Sequence, residues 1–347
     1  MYSVGYCAVR QAGVKGDLKF EVRIPACDRP ELLERAIYSL QAQIYPRWKA
    51  VVYDDSKSQE VSALLDRLRD PRVRYIRNAQ TLGAAQNIDQ CFSPSPEANG
   101  DYGCLLEDDN FWLPGFLKLI ATAIDNRGWD LILANQRINY EGEGLRPAQQ
   151  TTRGVWFAPG EVQPETLLAS LLLIEGVSNG GLVWKLAADI DLRVGSTVKQ
   201  TGLHEACRSL LVRKPFLFIA DPEAVWTLIP KHRTARSVET NRVIGRGMQS
   251  VREFVIGSGG ETTISIAKAM AQRLGLSDQL ANTFAYCGRI SLAFGLAKRN
   301  RFNVLRSMAK GLAIRCVQRD PCRKFLQTIR RNSTRALPRE IPVVDAN

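Results

Sequence analysis

The sequence predicts an α/β protein: a mostly parallel sheet flanked by helices, followed by a basic helical C-terminal region. Three observations lead there. Short β-type runs alternate with amphipathic helical stretches through the first half of the chain. The strand signal fades after about residue 237. The charge is also split: residues 231–347 hold 22 Lys/Arg against 7 Asp/Glu, and residues 1–230 hold 25 against 28, within a net +12.

Taken in order, Phe20 to Ile24 reads as a strand ended by Pro25. Residues 29–43 carry Leu32, Leu33, Ala36, Ile37 and Leu40 on one helical face. Residues 50–53 and 73–76 read as strands two and three, with a helix over 61–69 between them and another over 83–91. Strand four spans 102–106, and Pro114 is expected to open the next helix. The apolar run Leu167 to Ile174 is far short of the ~20 residues of a bilayer span and reads as a buried segment. Beyond residue 237, helices are expected over 263–274, 279–296 and 302–317, with Gly257 to Gly260 as a flexible junction and residues 330–347 frayed. The stretch from Gly128 to Gly202 has the least recognisable pattern. These shifts give a domain over 18–237 and a basic helical region over 238–347.

Composition and motifs exclude several classes. Two histidines and eight scattered cysteines without Cys-x-x-Cys offer neither a structural zinc site nor a disulfide framework. The start Met1-Tyr2-Ser3 lacks a secretory pattern, so a cytoplasmic protein is expected. No Gly-x-Gly-x-x-Gly follows strand one, which removes the dinucleotide fold's fingerprint. The same stretch lacks the glycines with which a sugar-phosphate nucleotidyltransferase would grip a triphosphate. Nucleic acid is not an expected partner, because no recognisable module is present and aromatics are sparse where basic residues are densest.

Ligands in such sheets bind beyond the C-terminal strand ends. There the sequence places Asp54-Asp55-Ser56 after strand two and Glu107-Asp108-Asp109-Asn110 after strand four. Carboxylates gathered in one crevice raise each other's pKa unless a cation balances them, and hard oxygen donors suit Mg²⁺ or Mn²⁺. Such residues also serve as caps and turn formers, and Asn110 reads best as the cap of the following helix. Phe111 and Trp112 read as packing residues.

The ordered set of runs resembles glycosyltransferase family 2: Arg23-Ile-Pro-Ala-Cys-Asp-Arg-Pro-Glu-Leu-Leu-Glu-Arg-Ala, Val52-Tyr-Asp-Asp-Ser, Asp70-Pro-Arg-Val-Arg, Gly83-Ala-Ala-Gln-Asn and Leu106-Glu-Asp-Asp-Asn. The likeness covers roughly residues 20–240. It implies a GT-A fold, Rossmann-like in its sheet, that binds a nucleoside diphosphate sugar (UDP-, GDP- or dTDP-sugar) with Mn²⁺ or Mg²⁺. By position, Pro25, Ala26 and Asp28 would line the nucleotide pocket, Asp55 would meet the base, and Asn87 would lie near the ribose or diphosphate. Asp108 would contact the ribose, and Asp109 would bind the metal. Gln86 stands where the family often has Arg. The resemblance further implies inverting transfer to an acceptor hydroxyl in polysaccharide or glycan biosynthesis.

That chemistry needs a general base. Glu205 is the candidate, at the start of the helix reading Gly202-Leu-His-Glu, with His204 as neighbour or substitute and Asp191 as a second candidate. His232 would be a phosphate or metal contact, with Arg233 or Arg236 as a clamp. The acceptor would be a glycan, a lipid-linked glycan or a small molecule. The basic series from Lys298 to Arg331 reads either as a solvated helix face or as a peripheral contact with anionic membrane at the inner face of the cell membrane. A non-catalytic sugar-nucleotide or nucleic-acid binder is the alternative class.

Overall fold

A computed structural model of the chain describes residues 18–174, 176–229, 237–297 and 301–335. Its parallel half is built from β1 (Phe20–Ala26), β2 (Trp48–Asp54), β3 (Val73–Arg77) and β4 (Tyr102–Leu105). Crossovers α1 (Pro30–Gln41), α2 (Glu60–Leu68) and α3 (Ala84–Gln90) connect them. Phe20 of β1 stands opposite Trp48 on one side and Tyr102 on the other. Leu33, Ala36, Ile37 and Leu40, four residues of the expected stripe, are the buried face of α1 against this sheet.

β1 lies in the middle of the sheet and is buried throughout, although it carries Glu21 and Arg23. The two form an ion pair at 2.7 Å. Arg23 also donates to the carbonyls of Cys91, Ser93 and Ser95 at 3.0, 2.6 and 2.6 Å, and Glu21 accepts from the backbone N–H groups of Glu97 and Ala98. The polar atoms of the pair are thus spent on each other and on fastening the 91–98 loop to the sheet, which makes burying two charges tolerable.

The second half of the sheet follows the weakly patterned stretch. After β5 (Phe111–Trp112) and α4 (Phe116–Arg127) come β6 (Leu131–Tyr140), β7 (Gly144–Leu145), β8 (Gly160–Val162), α5 (Pro164–Ser170), β9 (Leu182–Lys185), α6 (Thr201–Ser209) and β10 (Phe216–Leu228). The sheet order is β3-β2-β1-β4-β9-β6-β10-β5. β9 runs antiparallel between β4 and β6, and β10 runs parallel to β6 with a register shift between Ile219 and Ala224. Because β9 is reversed, its first residues lie at the same edge of the sheet as the ends of β1, β2 and β4, with Val183 opposite Cys104. Pro114 does not open α4; its carbonyl accepts from Ile44, and the helix starts two residues later.

Six helices complete the described chain: α7 (Val238–Ser258), α8 (Gly260–Arg273), α9 (Ser277–Tyr286), α10 (Ile290–Leu296), α11 (Arg301–Val317) and α12 (Arg323–Arg335). The glycine run at 257–260 is a corner between α7 and α8, turned by Gly260 at φ +60°, and not a flexible junction. The helix expected over 279–296 breaks between α9 and α10. α11 passes so close to Tyr286 that a Cβ at Gly311 would stand 2.1 Å from the Tyr286 carbonyl oxygen. Residues 330–335, expected to be frayed, belong to α12, whose Phe325, Leu326 and Ile329 are buried.

α7–α12 share one apolar cluster with Ala169 to Leu173 and with Leu203, Ala206 and Cys207 of α6. Packing therefore does not follow the sequence boundary at 237. The seven cysteines among the described residues are all free thiols. No helix among the described residues is long and apolar enough to cross a membrane.

Candidate active site

The turn after β4 holds Glu107, Asp108, Asp109 and Asn110. Asn110 does not cap a helix. Its carbonyl oxygen accepts from Thr227 of β10 at 2.7 Å, and its amide donates to Glu107 Oε2 at 2.8 Å, locking the turn to the neighbouring strand. Phe111 and Trp112 pack as expected: Trp112 is buried against Phe116, and Arg35 lies over the Phe111 ring.

Arg29, the residue before α1, reaches across to this turn. Its guanidinium donates to both oxygens of Asp108 and, at 2.7 Å, to Asp109 Oδ2. Arg35 donates to the Asp109 backbone carbonyl at 2.7 Å. Burial pushes the Asp108 carboxyl up to about 7, with Arg29 pulling against that rise. Burial likewise lifts Glu107 to about 8, reinforced by the negative charges of Asp109, Glu205 and Asp108. Glu205 therefore lies within electrostatic reach of the acidic turn.

The ends of β1 and β2 close the other side of the crevice. Pro25 and Ala26 are the last residues of β1, and the Ala26 carbonyl accepts from Asp55 N. Asp28 sits at φ +47° and accepts from Lys57 N and Ser58 N. Asp55 is buried, with its oxygens engaged by Asn78 Nδ2, Leu82 N and Gly83 N at 2.8 Å each. Asn87 is also buried: its amide donates to the Ala26 and Tyr53 carbonyls, and its oxygen accepts from Asn78 and Gln90. Asp55 and Asn87 therefore hold the 78–83 loop over the strand ends. The charges of Asp28, Asp55 and Asp108 all act on the Cys27 thiol, which burial raises in the first place. These three carboxylates meet at one strand-end crevice.

Glu205 enters from α6. Its Oε1 accepts from Asn179 N at 2.8 Å, and its Oε2 lies 3.4 Å from Arg153 Nη2. Asn179 opens a single 3-10 turn, Asn179–Gly181, just before β9. A Cβ on Gly180 would stand 3.6 Å from Glu107 Oε2, so this turn bridges Glu205 and the acidic turn. Beneath it, the wholly buried Arg208 donates to Asn179 Oδ1 at 2.7 Å, to Asp89 Oδ1 at 2.8 Å and to the Leu192 carbonyl, with its guanidinium 3.7 Å from the Phe92 ring centroid.

The two alternative bases are corrected by the structure. His204 is fully buried, and its Nε2 donates to the Val198 carbonyl at 2.7 Å. It has no edge toward the crevice. Asp191 is ion-paired with Arg193 at 2.7 Å and lines a groove with Asp130 and Leu131 at the start of β6, the opposite edge of the sheet. His232, with Arg233 and Arg236, lies outside the described residues. Arg29 and Arg153 were not singled out by sequence reasoning, whereas Asn179-Gly-Gly181 reads from the sequence either as a border of the acceptor pocket or as a tight bend. For Arg29 a signal existed, a cation directly after strand one facing an acidic strand end; for Arg153 none did.

Burial lowers the His204 pKa below its ordinary value, with Arg208 acting in the same direction and the Val198 hydrogen bond and Asp89 opposing. At this group the unfolded chain takes up a proton near pH 6.5 that the folded chain refuses, so His204 by itself lowers stability as pH drops below 6.5, while the raised Glu107 and Asp108 carboxyls act in the opposite direction. The slope is at most about 1.4 kcal/mol per pH unit. Urea titrations between pH 7 and 5 will show this contribution as the difference in slope between the native chain and His204→Gln. An unchanged slope would place the proton elsewhere.

For a divalent cation, the donor chemistry at Asp109 is suitable. Its side chain is 26% exposed and offers hard oxygens. Mg²⁺ commonly takes one or two carboxylates and completes its shell with water and substrate phosphates. Among the described residues no group of three His, Cys, Asp or Glu could hold an ion unaided. The residues fit a cation shared with a diphosphate, and such a cation must release Asp109 from Arg29.

A parallel half-sheet, a reversed strand beside it and an acidic turn at the strand ends define a GT-A fold. S. aureus TarS 1-349 in complex with UDP-GlcNAc has this fold: it superposes with a TM-score of 0.53 at 14% identity, covering 91% of this chain and 92% of that one. Residues 21–172 match the sequence profile of glycosyl transferase family 2. Among curated relatives, the GalNAc(5)-diNAcBac-PP-undecaprenol beta-1,3-glucosyltransferase of Campylobacter jejuni is 29% identical over 126 residues, 36% of this chain and 40% of its own length. Protein CgeD of Bacillus subtilis is 29% identical over 114 residues, 31% of this chain and 27% of its own length. The chain thus spans well under half the length of these relatives.

Proposed function

We propose that the chain transfers a sugar from a nucleoside diphosphate sugar to a hydroxyl of a glycan acceptor, with inversion at the anomeric carbon. The observation that carries this reading is the meeting of the acidic turn 107–109 with Glu205 across the Asn179–Gly181 turn. The match of residues 21–172 to the family profile and the relatives' names support it.

In this reading Pro25, Ala26 and Asp28 border the nucleotide, Asp55 and Asn87 shape its pocket through the 78–83 loop, and Asp108 faces the ribose. Asp109 would hold Mn²⁺ or Mg²⁺, which supplies positive charge against the leaving diphosphate. Arg29, once freed from Asp109, adds a guanidinium whose planar fork matches phosphate oxygens. Glu205 takes the acceptor proton as the hydroxyl attacks, and Asn179 N with Arg153 orient its carboxylate. Direct displacement by that hydroxyl gives inversion.

A thermal-shift screen of UDP-, GDP- and dTDP-sugars with and without Mn²⁺ tests the donor site. Ligand at 100 times its Kd stabilises by about 2.7 kcal/mol. At least one donor will raise Tm, and Asp109→Ala will lose the Mn²⁺-dependent part of that rise. If no donor shifts Tm in either metal condition, the reading fails.

A further inference from the structure

A groove of about 1310 Å³ opens between α7, the end of α11, α12 and the segment that leads into α6. Its walls carry Lys199, Arg319, Arg323 and Lys324, which have no carboxylate partner among the described residues. Glu253 and Asp320 are the carboxylates in the lining. Glu253 is engaged by Arg315 at 2.6 Å and approached by Arg246 at 4.0 Å, and Asp320 Oδ1 accepts from Cys322 N. The floor includes apolar Phe254, Pro321 and Leu326. Like charges held together in a concavity with low-dielectric walls focus a positive potential, which disfavours the empty state and attracts anions. The volume exceeds the ~300–1,000 Å³ typical of a single small-ligand site, so it suits an extended ligand with more than one anionic group.

The groove also touches the proposed machinery. Lys199 stands just before α6, which carries Glu205, and Leu203 of α6 packs at Gly247 of α7 beside Pro321. We infer that this groove holds phosphate groups of the acceptor, a glycan carrying phosphodiester or diphosphate links; this rests on the transfer reading above. A concave site favours such a chain over a flat bilayer surface. Single-stranded nucleic acid is disfavoured because the aromatic residue in the lining, Phe254, has Arg330 over its ring at 5.5 Å.

Calorimetry on the full chain, with inorganic pyrophosphate and a polyphosphate of about 15 units as probes, tests this; their relative affinities separate a site for a single diphosphate from one for several phosphates in a row. Lys199→Glu/Arg323→Glu/Lys324→Glu is expected to bind the better probe about 100-fold more weakly, roughly tenfold per lost contact for at least two contacts. Its Tm and its nucleotide-sugar binding should be unchanged. Arg319→Gln/Lys324→Gln, a milder variant, should weaken the same probe about tenfold and keeps the test readable should the triple variant fold poorly. Native-like affinity in both folded variants would overturn the proposal, as would displacement of the probe by a nucleotide sugar. Tighter binding of single-stranded DNA of equal charge, or binding of anionic-lipid vesicles without either soluble probe, would overturn it too. Donor binding is measured separately, so failure at the donor site sinks the transfer reading and leaves the groove result interpretable.

Discussion

Glu205→Gln will lower kcat for sugar transfer by about 10²–10⁴-fold, the usual worth of a positioned general base. Nucleotide-sugar affinity will stay within about twofold, because a group that acts on the acceptor proton contributes little to donor binding. The substitution is nearly isosteric and retains an oxygen for Asn179 N, so the 3-10 turn before β9 keeps its anchor. Steady-state kinetics with a saturating donor separates the two effects. A loss below about tenfold would mean that Glu205 only holds Asn179 and Arg153 in place, since general-base catalysis is worth more than that.

Asp89→Ala will have the largest effect on stability, about 3–5 kcal/mol, because it strands the buried Arg208 guanidinium without its counter-charge. Asp89 also accepts from Val194 N and Gly195 N at 2.8 Å, so the loop before α6 loses its tether at the same time. For a chain of this size Tm should fall by roughly 4–7 °C. Urea unfolding will read it. A change under about 1 kcal/mol would show that water reaches Arg208 in the variant and solvates the charge.

Much of the parallel half of the sheet and its strand-end carboxylates was legible in the sequence, for a physical reason. β1–β4 and α1–α3 each show their own period, and consecutive parallel strands need crossovers of this length. The residues after those strands therefore fall at one edge, which is where Asp28, Asp55, Asp108 and Asp109 stand. The other half of the sheet was hidden. β9 has four residues, Leu182 to Lys185, and follows a Asn-Gly-Gly turn that reads as a loop. β10 contains Asp221-Pro-Glu223 at its register shift, a sequence that reads as the end of a strand and instead bulges within one. Glu205 could be picked from its place on a helix, but its partners Asn179 and Arg153 lie 26 and 52 residues away in sequence and no local pattern links them. His204 misled because an adjacent position on a helix points about 100° away, here into the core.

The charged pair inside β1 also bears on how the sheet assembles. Sliding β1 by one residue would carry Glu21 and Arg23 to the opposite face, away from every carbonyl and N–H group that now receives them. A misregistered intermediate would have to strip water from two ions without compensation, whereas an all-aliphatic strand would tolerate the slip. Until the 91–98 segment arrives, those ions keep the middle of the sheet hydrated, so the sticky core strand is guarded against premature pairing with itself or with another molecule.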